Sequence, residues 1–411
     1  MTTDNSTDRR VVVVGAGHGG GAVVGLLRQF GFAGHITLVG DEPHAPYHRP
    51  PLSKAWLKGE TTTEALAIKP GKFYEELKIA LRLGQRATAI DPSARRLTFD
   101  DGETLDYDYL VLATGARARK LPVRGADLPN VLSLRNIADA ERLRNALRVD
   151  HRLVIIGGGY IGLECAATAR SLGVEVTVIE RAPRLLERVA SEAVADFLQR
   201  THEARGVRFL LNAGIESIEG DHAAEAVRLT DGTRIPCEAV IVGIGAEPVT
   251  ELAAAAGLAC NDGVTVDEDC RSSHPDIFAI GDMAKRPHAV YGRPVRLESV
   301  PGSAEHARRV AAVICGREPP ATEVPWFWSD QYDLKLQIVG LATADARTVV
   351  RGEPDSNSFA VFHLHDGKVV AVEAINAPPA FLAGKKLTAS GKSVDPASLA
   401  DPAADLKTIA Q

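Results

Sequence analysis

Two glycine-rich turns, 142 residues apart, constrain the fold of this 411-residue chain more than any other feature. Both fit the pattern Gly-x-Gly-x-x-Gly, and each follows an apolar run and precedes a stretch with helical spacing. In such a turn the first glycine bends tightly, the second lets a pyrophosphate approach the backbone, and the third lets helix and strand pack closely. The helix that follows directs free N–H groups and the positive end of its dipole at the phosphates. The glycines concerned are Gly15, Gly17, Gly19 and Gly20 in the first turn and Gly157, Gly159 and Gly162 in the second.

The same order of signals follows each turn. A strand-like segment ends in an acid, Asp41 in the first case and Glu180 in the second, where a carboxylate can bind a ribose diol. The pairs Asp101-Gly102 and Asp231-Gly232 then predict hairpins in which both turn residues have positive φ. Each hairpin precedes an apolar strand that runs into glycine, and these strand ends contain Thr114, Gly115 and Gly245. Because four signals recur in one order, the sequence predicts two dinucleotides and electron transfer between them.

Composition narrows the class of protein. The chain is 45% hydrophobic and 24% charged, as in globular proteins, and its net charge of −6 gives no support to nucleic-acid binding. No apolar run approaches the ~20 residues that span a bilayer, and residues 1–10 lack the apolar core of a signal peptide. The five cysteines and twelve histidines show no metal-ligand spacing. We therefore expect a cytoplasmic protein without a metal site, and nothing in the sequence specifies an oligomeric state.

The cysteine spacing also limits the reaction. A disulfide reductase needs two adjacent thiols that form and break one bond, and the chain contains neither a CxxC nor a CxxxxC pair. The proline-rich residues 42–54 contain no cysteine at all. An acceptor that takes one electron at a time is therefore favoured over a disulfide.

Three later segments have clear local patterns. Residues 276–282 form a short apolar run that ends in Gly-Asp, which predicts another buried strand. Residues 303–315 have helical spacing, and residues 358–375 alternate around Asp366-Gly367, which predicts a β-hairpin.

Six segments, taken together, resemble a known family. They are residues 49–54 (Arg-Pro-Pro-Leu-Ser-Lys), 113–115, 157–164, 281–282, 298–301 and 325–331 (Pro-Trp-Phe-Trp-Ser-Asp-Gln). In this order they are similar to the FAD-dependent ferredoxin reductases, of the putidaredoxin-reductase type and of aromatic-ring dioxygenases. The similarity extends over nearly the whole chain, and the last segment is fairly specific to the group.

The resemblance implies an α/β fold with two Rossmann-like dinucleotide-binding domains on the glutathione-reductase plan and a C-terminal α+β domain. The FAD domain would comprise residues 1–120 and 248–325, the NAD domain 121–247 and the reductase C-terminal domain 326–411. The cofactors would be FAD and NADH. The partner would be a 2Fe-2S ferredoxin that supplies a monooxygenase or a ring-hydroxylating dioxygenase.

The resemblance also implies roles for individual residues. Lys54 would lie near flavin N5, Trp328 near the isoalloxazine, and Tyr160 on the nicotinamide side until that cofactor arrives. Glu164 and Glu298 would contact the nicotinamide region. The remaining FAD contacts would be Asp41 on the adenosine ribose, Asp282 on the ribityl chain, and Ala87, Arg135, Gly281 and Val300. His18 stands where relatives often have a small apolar residue, and its role stays open.

Several of these residues also have plainer interpretations. From composition alone, Lys54 could be a solvent-facing lysine and Glu164 a helix-surface acid, whereas as an ion pair they would support a reduced flavin. Tyr160 could simply pack against its neighbours. Trp326 and Trp328 would share one face of a strand, and for Trp326 core packing is favoured.

Cofactor choice and partner docking rest on charged residues. Glu180 favours NADH, because a carboxylate there repels a 2′-phosphate, although Arg181 and Arg184 could accept one. For these arginines we favour pyrophosphate or surface contacts. Candidates for docking an acidic ferredoxin, or simply solvated surface residues, are Arg308, Arg309 and Lys335.

Two alternative functions stay open. The protein could be an NADH-dependent flavoprotein reductase of rubredoxin, a quinone or oxygen. It could also be a redox-gated binding protein, as relatives of apoptosis-inducing factor suggest. Rapid turnover with a one-electron acceptor would distinguish an enzyme from such a binding protein.

Overall fold

The computed structural model describes residues 8–343 and 345–411, and the chain divides into two compact units. The first unit consists of Met1–His48, Glu64–Arg117 and Glu247–Pro325. The second consists of Arg49–Thr63, Ala118–Ala246 and Trp326–Gln411. Residues 1–7, for which the sequence predicts no signal peptide, lie outside the described residues. Within the described ranges, no helix is both long enough and apolar enough to cross a membrane.

A five-stranded parallel sheet is the centre of the first unit. Val11–Val14 are all buried, because both faces of a parallel sheet are covered. The order of strands across the sheet is Ile277–Ala279, Tyr109–Leu112, Arg10–Val14, His35–Gly40 and Ile79–Leu83. Strand order reverses at Arg10–Val14, so the first glycine turn follows the strand at a topological switch point, where open α/β sheets bind ligands.

Two helices of the first unit pack side by side. Helix His18–Gln29 begins at the first glycine turn and packs along helix Val300–Ile314. The second helix begins three residues before the predicted start, because the Ser299 hydroxyl caps it by accepting from the Gly302 N–H at 3.1 Å. The other helices and strands are Gly71–Glu76, Glu251–Ala255, Ala87–Asp91, Arg96–Phe99, Thr104–Asp106, Val264–Thr265, Ala284–His288 and Arg293–Arg296.

The second unit contains a parallel sheet of the same kind. Its order is Val207–Leu210, Glu175–Ile179, Arg152–Ile156, Ala239–Val242 and Val131–Leu132, so the order again reverses at the strand before a glycine turn. Helix Tyr160–Ser171 follows that turn. The remaining elements of this part are helices Ile137–Ala146 and Glu192–Glu203 and the antiparallel strands Ile215–Glu219, Ala226–Leu229 and Arg234–Pro236. The short strands Ala116–Ala118 and Ala246–Pro248 contain the points where the chain passes between units.

The C-terminal part of the second unit is an antiparallel sheet with helices. The strands lie in the order Trp326–Gln331, Leu334–Gly340, Lys368–Ile375, Ser358–His365 and Arg347–Glu353. This confirms the hairpin predicted for residues 358–375. Helix Pro378–Ser390 packs on Lys368–Ile375, and helices Pro396–Ala400 and Leu406–Ile409 follow.

Both Asp-Gly hairpins form, but the predicted turn geometry is wrong. Gly102 and Gly232 have φ of +84° and +86°, whereas neither Asp101 nor Asp231 has a positive φ. Each loop spans four residues rather than two, so one left-handed residue closes it. The aspartates stabilise the turns through their side chains. The Asp101 carboxylate accepts from the Glu103 N–H at 2.9 Å, and the Asp231 carboxylate accepts from the Thr233 N–H at 2.8 Å.

Candidate functional site

The first glycine turn has the shape of a phosphate cradle. Gly15 has φ of +117°, and a Cβ there would lie 2.2 Å from the Ala113 carbonyl oxygen. A Cβ on Gly20 would lie 1.9 Å from the Gly15 carbonyl oxygen. By contrast, a Cβ on Gly17 would meet no atom within 4 Å. The fold therefore requires Gly15 and Gly20, whereas Gly17 leaves open space at the helix N-terminus, as a pyrophosphate needs.

The second turn repeats this geometry. Gly157 has φ of +109°, and a Cβ there would lie 2.4 Å from the Gly243 carbonyl oxygen. A Cβ on Gly162 would lie 2.4 Å from the Gly157 carbonyl oxygen, whereas the nearest atom to one on Gly159 is 3.9 Å away. Gly245, two residues after Gly243, has φ of +103° and is exposed. The chain therefore has two cradles that fit a dinucleotide, one in each unit.

Three predicted FAD contacts, Thr114, Asp41 and Ala87, lie in the first unit. Thr114 lies against Gly15, and its hydroxyl donates to the Val249 carbonyl at 2.8 Å, which fixes the strand end that runs into Gly115. Asp41 directly follows strand His35–Gly40 and is exposed. Ala87 opens a short strand and is half-buried. Their cofactor roles stay predictions.

The Gly281-Asp282 segment lies beside the first glycine turn. A Cβ on Gly19 would lie 3.3 Å from Ile280, the residue before Gly281. Arg296, which sequence reasoning missed, donates to the Asp282 carbonyl at 3.1 Å and pairs with the exposed Glu298 at 2.5 Å. The arginine thus fixes two predicted site residues relative to each other. Val300, the first residue of its helix, lies two positions after Glu298.

Lys54 and Glu164 form an ion pair within the second unit. The Lys54 ammonium lies 2.5 Å from Glu164 Oε2, and the Ser53 hydroxyl donates to the same oxygen at 2.6 Å. The Ser329 hydroxyl donates to Glu164 Oε1 at 2.7 Å. Glu164 is only 3% exposed, so it is not a helix-surface acid, and the Lys54 side chain is 20% exposed. Three donors therefore hold both oxygens of a buried carboxylate.

Sequence reasoning missed Ser53 and Ser329. Both lie inside segments that resemble the family, directly beside Lys54 and Trp328. Their separation from Glu164, 111 and 165 residues, is too long for any local pattern to reveal the contact. Polar side chains within those two segments were the available signal.

The aromatic candidates make packing contacts. The Tyr160 hydroxyl donates to the Val189 carbonyl at 3.1 Å, and its ring meets the Phe327 ring edge-on at 4.8 Å between centroids. Burial raises the pKa of Tyr160 well above its ordinary value, so the phenol stays protonated. The Trp326 and Trp328 rings lie on one face, 5.8 Å apart, and Trp326 also meets Phe381. These contacts fit core packing for Trp326, and the cofactor roles of Tyr160 and Trp328 stay predictions.

Glu180 stands at the second glycine turn. Its carboxylate accepts from the Gly158 N–H at 2.7 Å and from the Ala182 N–H at 2.8 Å. Arg184 pairs with Glu187 at 2.7 Å and also donates to the Ala190 carbonyl, so it is engaged locally, while Arg181 is exposed.

Arg135, the last predicted FAD contact, lies in the second unit. Its carbonyl accepts from Arg49 Nη1 at 2.7 Å, and its N–H donates to Asp139 at 3.0 Å. These bonds fix the backbone just before helix Ile137–Ala146.

One docking candidate is wrong. Arg309 is only 6% exposed, because it pairs with Glu305 at 3.2 Å inside the first unit, so it cannot meet a partner at the surface. Arg308 is about half exposed and pairs with Glu323 at 2.9 Å, and Lys335 is exposed.

All five cysteines are free. Cys165, which follows Glu164, is fully buried in the hydrophobic core, and burial raises the pKa of its thiol to about 12. A thiol with that pKa is not a nucleophile at neutral pH. In the part of the chain that the structure describes, no group of three or more His, Cys, Asp or Glu side chains could hold a metal ion.

Comparison with known proteins agrees with this geometry. Residues 9–311 match the pyridine nucleotide-disulphide oxidoreductase family, and residues 326–410 match the reductase C-terminal family. The probable ferredoxin reductase CtmF of Castellaniella defragrans is 42% identical over 98% of this chain and 100% of its own. Putidaredoxin reductase CamA of Pseudomonas putida is 42% identical over 98% of this chain and 97% of its own. A crystal structure of the covalent putidaredoxin reductase–putidaredoxin complex matches with a TM-score of 0.96, 42% identity and 98% coverage of each chain.

The chain therefore belongs to the pyridine nucleotide-disulphide oxidoreductase family and, within it, to the ferredoxin reductases that carry a reductase C-terminal domain. The predicted family and fold class are confirmed. Enzymes of this kind are oxidoreductases that use FAD and a nicotinamide dinucleotide, which accounts for the two cradles.

Proposed function

We propose that this protein transfers electrons from NADH through FAD to a 2Fe-2S ferredoxin, which supplies a monooxygenase or a ring-hydroxylating dioxygenase. The observation that carries the proposal is the whole-chain match to a reductase solved in complex with putidaredoxin. FAD, when bound, accepts two electrons from NADH and releases them one at a time. The lack of a closely spaced cysteine pair in the sequence supports a one-electron acceptor rather than a disulfide.

In this proposal each unit holds one dinucleotide. FAD binds the turn at Gly15, Gly17, Gly19 and Gly20, with Asp41 on the ribose and Asp282 on the ribityl chain. The NAD domain of residues 121–247 binds NADH at the turn that contains Gly157, Gly159 and Gly162. The reductase C-terminal domain supplies Trp328 beside the flavin, and Glu298 contacts the nicotinamide region. The two glycine turns lie in different compact units, which supports one dinucleotide for each unit.

Lys54 acts on the flavin in this proposal. Its ammonium would lie near flavin N5, where a cation would stabilise the negative charge of the reduced ring. Glu164 fixes the ammonium, and the Ser53 and Ser329 hydroxyls fix Glu164. Because three donors fix both oxygens of the buried Glu164 carboxylate, it holds Lys54 in one position.

The preferred reductant is NADH. The Glu180 carboxylate is fixed at the tip of its strand, where it can accept from a ribose 2′-OH and would repel a 2′-phosphate. Arg184, engaged with Glu187, is not poised to bind a phosphate. We also propose a cytoplasmic location, which the five free cysteines support.

A panel of acceptors tests the function. Turnover with NADH should be fastest with a 2Fe-2S ferredoxin, at roughly 1–100 electrons per second, and slower with rubredoxin, quinone and oxygen. Rapid reduction of one of these acceptors and none of a ferredoxin would refute the proposal. Slow turnover with every acceptor, together with a long-lived reduced complex, would indicate a redox-gated binding protein instead.

A further inference from the structure

A column of buried polar side chains extends from Glu164 on the side opposite Lys54. The Ser329 hydroxyl lies 2.7 Å from Glu164 Oε1, and Gln331 Nε2 lies 3.1 Å from Ser329 Oγ. Gln331 Oε1 lies 2.8 Å from His202 Nε2, and the Tyr332 hydroxyl lies 3.3 Å from His202 Nδ1. Ser329, Gln331 and His202 are each at most 2% exposed, so water does not compete for these bonds.

The donors in this column all point toward Glu164. A carboxylate paired with a lysine can only accept, so Ser329 must donate to it. Ser329 Oγ then accepts from Gln331 Nε2, which leaves Gln331 Oε1 to accept from His202. The imidazole proton is therefore on Nε2, and Nδ1 accepts from Tyr332. The charge on Glu164 fixes the direction of every bond in the column.

His202 is suited to the end of this column because it is neutral. Burial lowers the pKa of His202 to about 4 and outweighs the Gln331 bond, which raises it; the positive charge of Arg205 lowers it by a lesser amount. Its ring packs against the rings of Tyr332 and Phe209, with centroids 4.9 and 6.1 Å away. A neutral ring with one fixed tautomer gives a rigid terminus, and fully satisfied buried networks of this kind restrict side-chain motion.

We propose that Ser329, Gln331 and His202 are positioning residues, which hold the Glu164 carboxylate and, through it, the Lys54 ammonium in the geometry required for flavin reduction. The column joins helix Glu192–Glu203 and strand Trp326–Gln331 to helix Tyr160–Ser171, on which Glu164 lies. The inference rests on the proposed function only in placing Lys54 beside the flavin.

Nitrogen-15 NMR of the histidines shows which nitrogen of His202 carries the proton, and therefore the direction of the hydrogen bonds in the column, without any turnover. In the wild-type holoprotein at neutral pH, His202 should carry its proton on Nε2. In Glu164→Gln, the new amide oxygen should face Lys54 and its nitrogen should face Ser329, so the donors reverse and the His202 proton moves to Nδ1. Thr201→Val, next to His202 on the same helix, is the control and should keep the proton on Nε2. An unchanged tautomer in Glu164→Gln would overturn a continuous column.

Anaerobic stopped-flow with NADH, without ferredoxin, tests the effect on chemistry. Ser329→Ala should lower the limiting rate of flavin reduction about tenfold, because the bond it removes is to a charged group. The Kd for NADH should change less than about twofold, and Ser329→Thr, which keeps the hydroxyl, should restore most of the rate. An unchanged rate in Ser329→Ala, or an equal loss in Ser329→Thr, would overturn the positioning role. A wild-type protein that is reduced by NADH but reduces no ferredoxin would refute the proposed function and leave this inference standing.

Discussion

Lys54 and the buried Glu164 form one ion pair, so removing the lysine charge leaves a buried carboxylate without its partner. We expect Lys54→Met to slow flavin reduction by NADH about 100-fold, because a fixed cation would no longer stabilise the reduced ring. The same change should lower the unfolding free energy by about 3 kcal/mol, because Glu164 stays buried. Stopped-flow absorbance and urea unfolding measure the two effects.

The double variant Lys54→Met/Glu164→Gln separates these effects. It should regain most of the lost stability, because no unpaired charge is left, while flavin reduction stays slow. Unchanged anaerobic reduction in Lys54→Met would exclude the proposed role of the cation.

Glu180 should set the preference for NADH. We expect wild-type kcat/KM to be about 100-fold higher with NADH than with NADPH, and Glu180→Ala to narrow that ratio about tenfold, because the variant loses the 2′-OH acceptor and the repulsion of a 2′-phosphate. Glu175→Ala, at the other end of the same strand, is the control and should keep the ratio. Comparable wild-type efficiency with both nucleotides would contradict the assignment.

Single residues were predictable from sequence only where a local pattern or a family motif marked them. Glu180 follows its strand and Lys54 ends a recognisable segment. The partners of Glu164 could not be found, because Ser53 and Ser329 approach it only through the tertiary fold. Arg309 was misplaced for a similar reason, since a helical arginine looks exposed until a buried partner, here Glu305, is known.

At the scale of the element, alanine at the middle glycine of each turn should impair cofactor binding, whereas alanine at the last glycine should impair folding. Gly17→Ala should fold, because the new Cβ meets no atom within 4 Å, but it should lose FAD, because the methyl group fills the space of the pyrophosphate. Gly159→Ala should keep FAD and weaken NADH binding about 100-fold. The flavin-to-protein absorbance ratio and an NADH titration measure these outcomes, and each variant is the control for the other.

Gly20→Ala should behave differently. Its Cβ would lie 1.9 Å from a backbone oxygen, so we expect a loss of about 3 kcal/mol or more in unfolding free energy. For the Gly17→Ala variant, by contrast, a normal FAD content would show that the first glycine turn does not hold the FAD pyrophosphate.

Several of the helices and strands could be predicted from local sequence patterns. Four successive buried valines before Gly15, and the alternation around Asp366-Gly367, were sufficient to place a parallel strand and a hairpin. The geometry of the turn at Asp101-Gly102 could not be predicted from the sequence. Loop length decides how many residues take positive φ, and it depends on the register of the flanking strands. The start of helix Val300–Ile314 was missed because the Ser299 cap and Pro301 in the first turn lie before the periodic stretch.

At the scale of the whole molecule, docking of an acidic ferredoxin should depend on surface charge. Arg308→Glu and Lys335→Glu should each lower the rate with ferredoxin about threefold to tenfold at low salt and leave ferricyanide reduction unchanged. The difference from wild type should shrink as ionic strength rises, because salt screens exposed charges. Equal losses with both acceptors would exclude docking at these residues.

The grouping of residues 49–63 with the second unit could not be predicted from the sequence. Arg49–Thr63 was assigned to residues 1–120 of the FAD domain, yet it clusters with the second unit. The physical reason is packing that only the fold creates. Leu57 lies in the core of the second unit, and the Arg144 guanidinium lies 4.4 Å from the centre of the Trp56 ring. This segment carries Ser53 and Lys54 to Glu164.

The most direct test is a stoichiometric anaerobic titration of the holoprotein. One equivalent of NADH should bleach the flavin completely, because the sequence has no closely spaced cysteine pair that could store a second pair of electrons. Each reduced protein should then reduce two equivalents of an added 2Fe-2S ferredoxin. Uptake of two equivalents of NADH, or a reduced flavin that transfers no electrons to any iron–sulfur protein, would contradict the account.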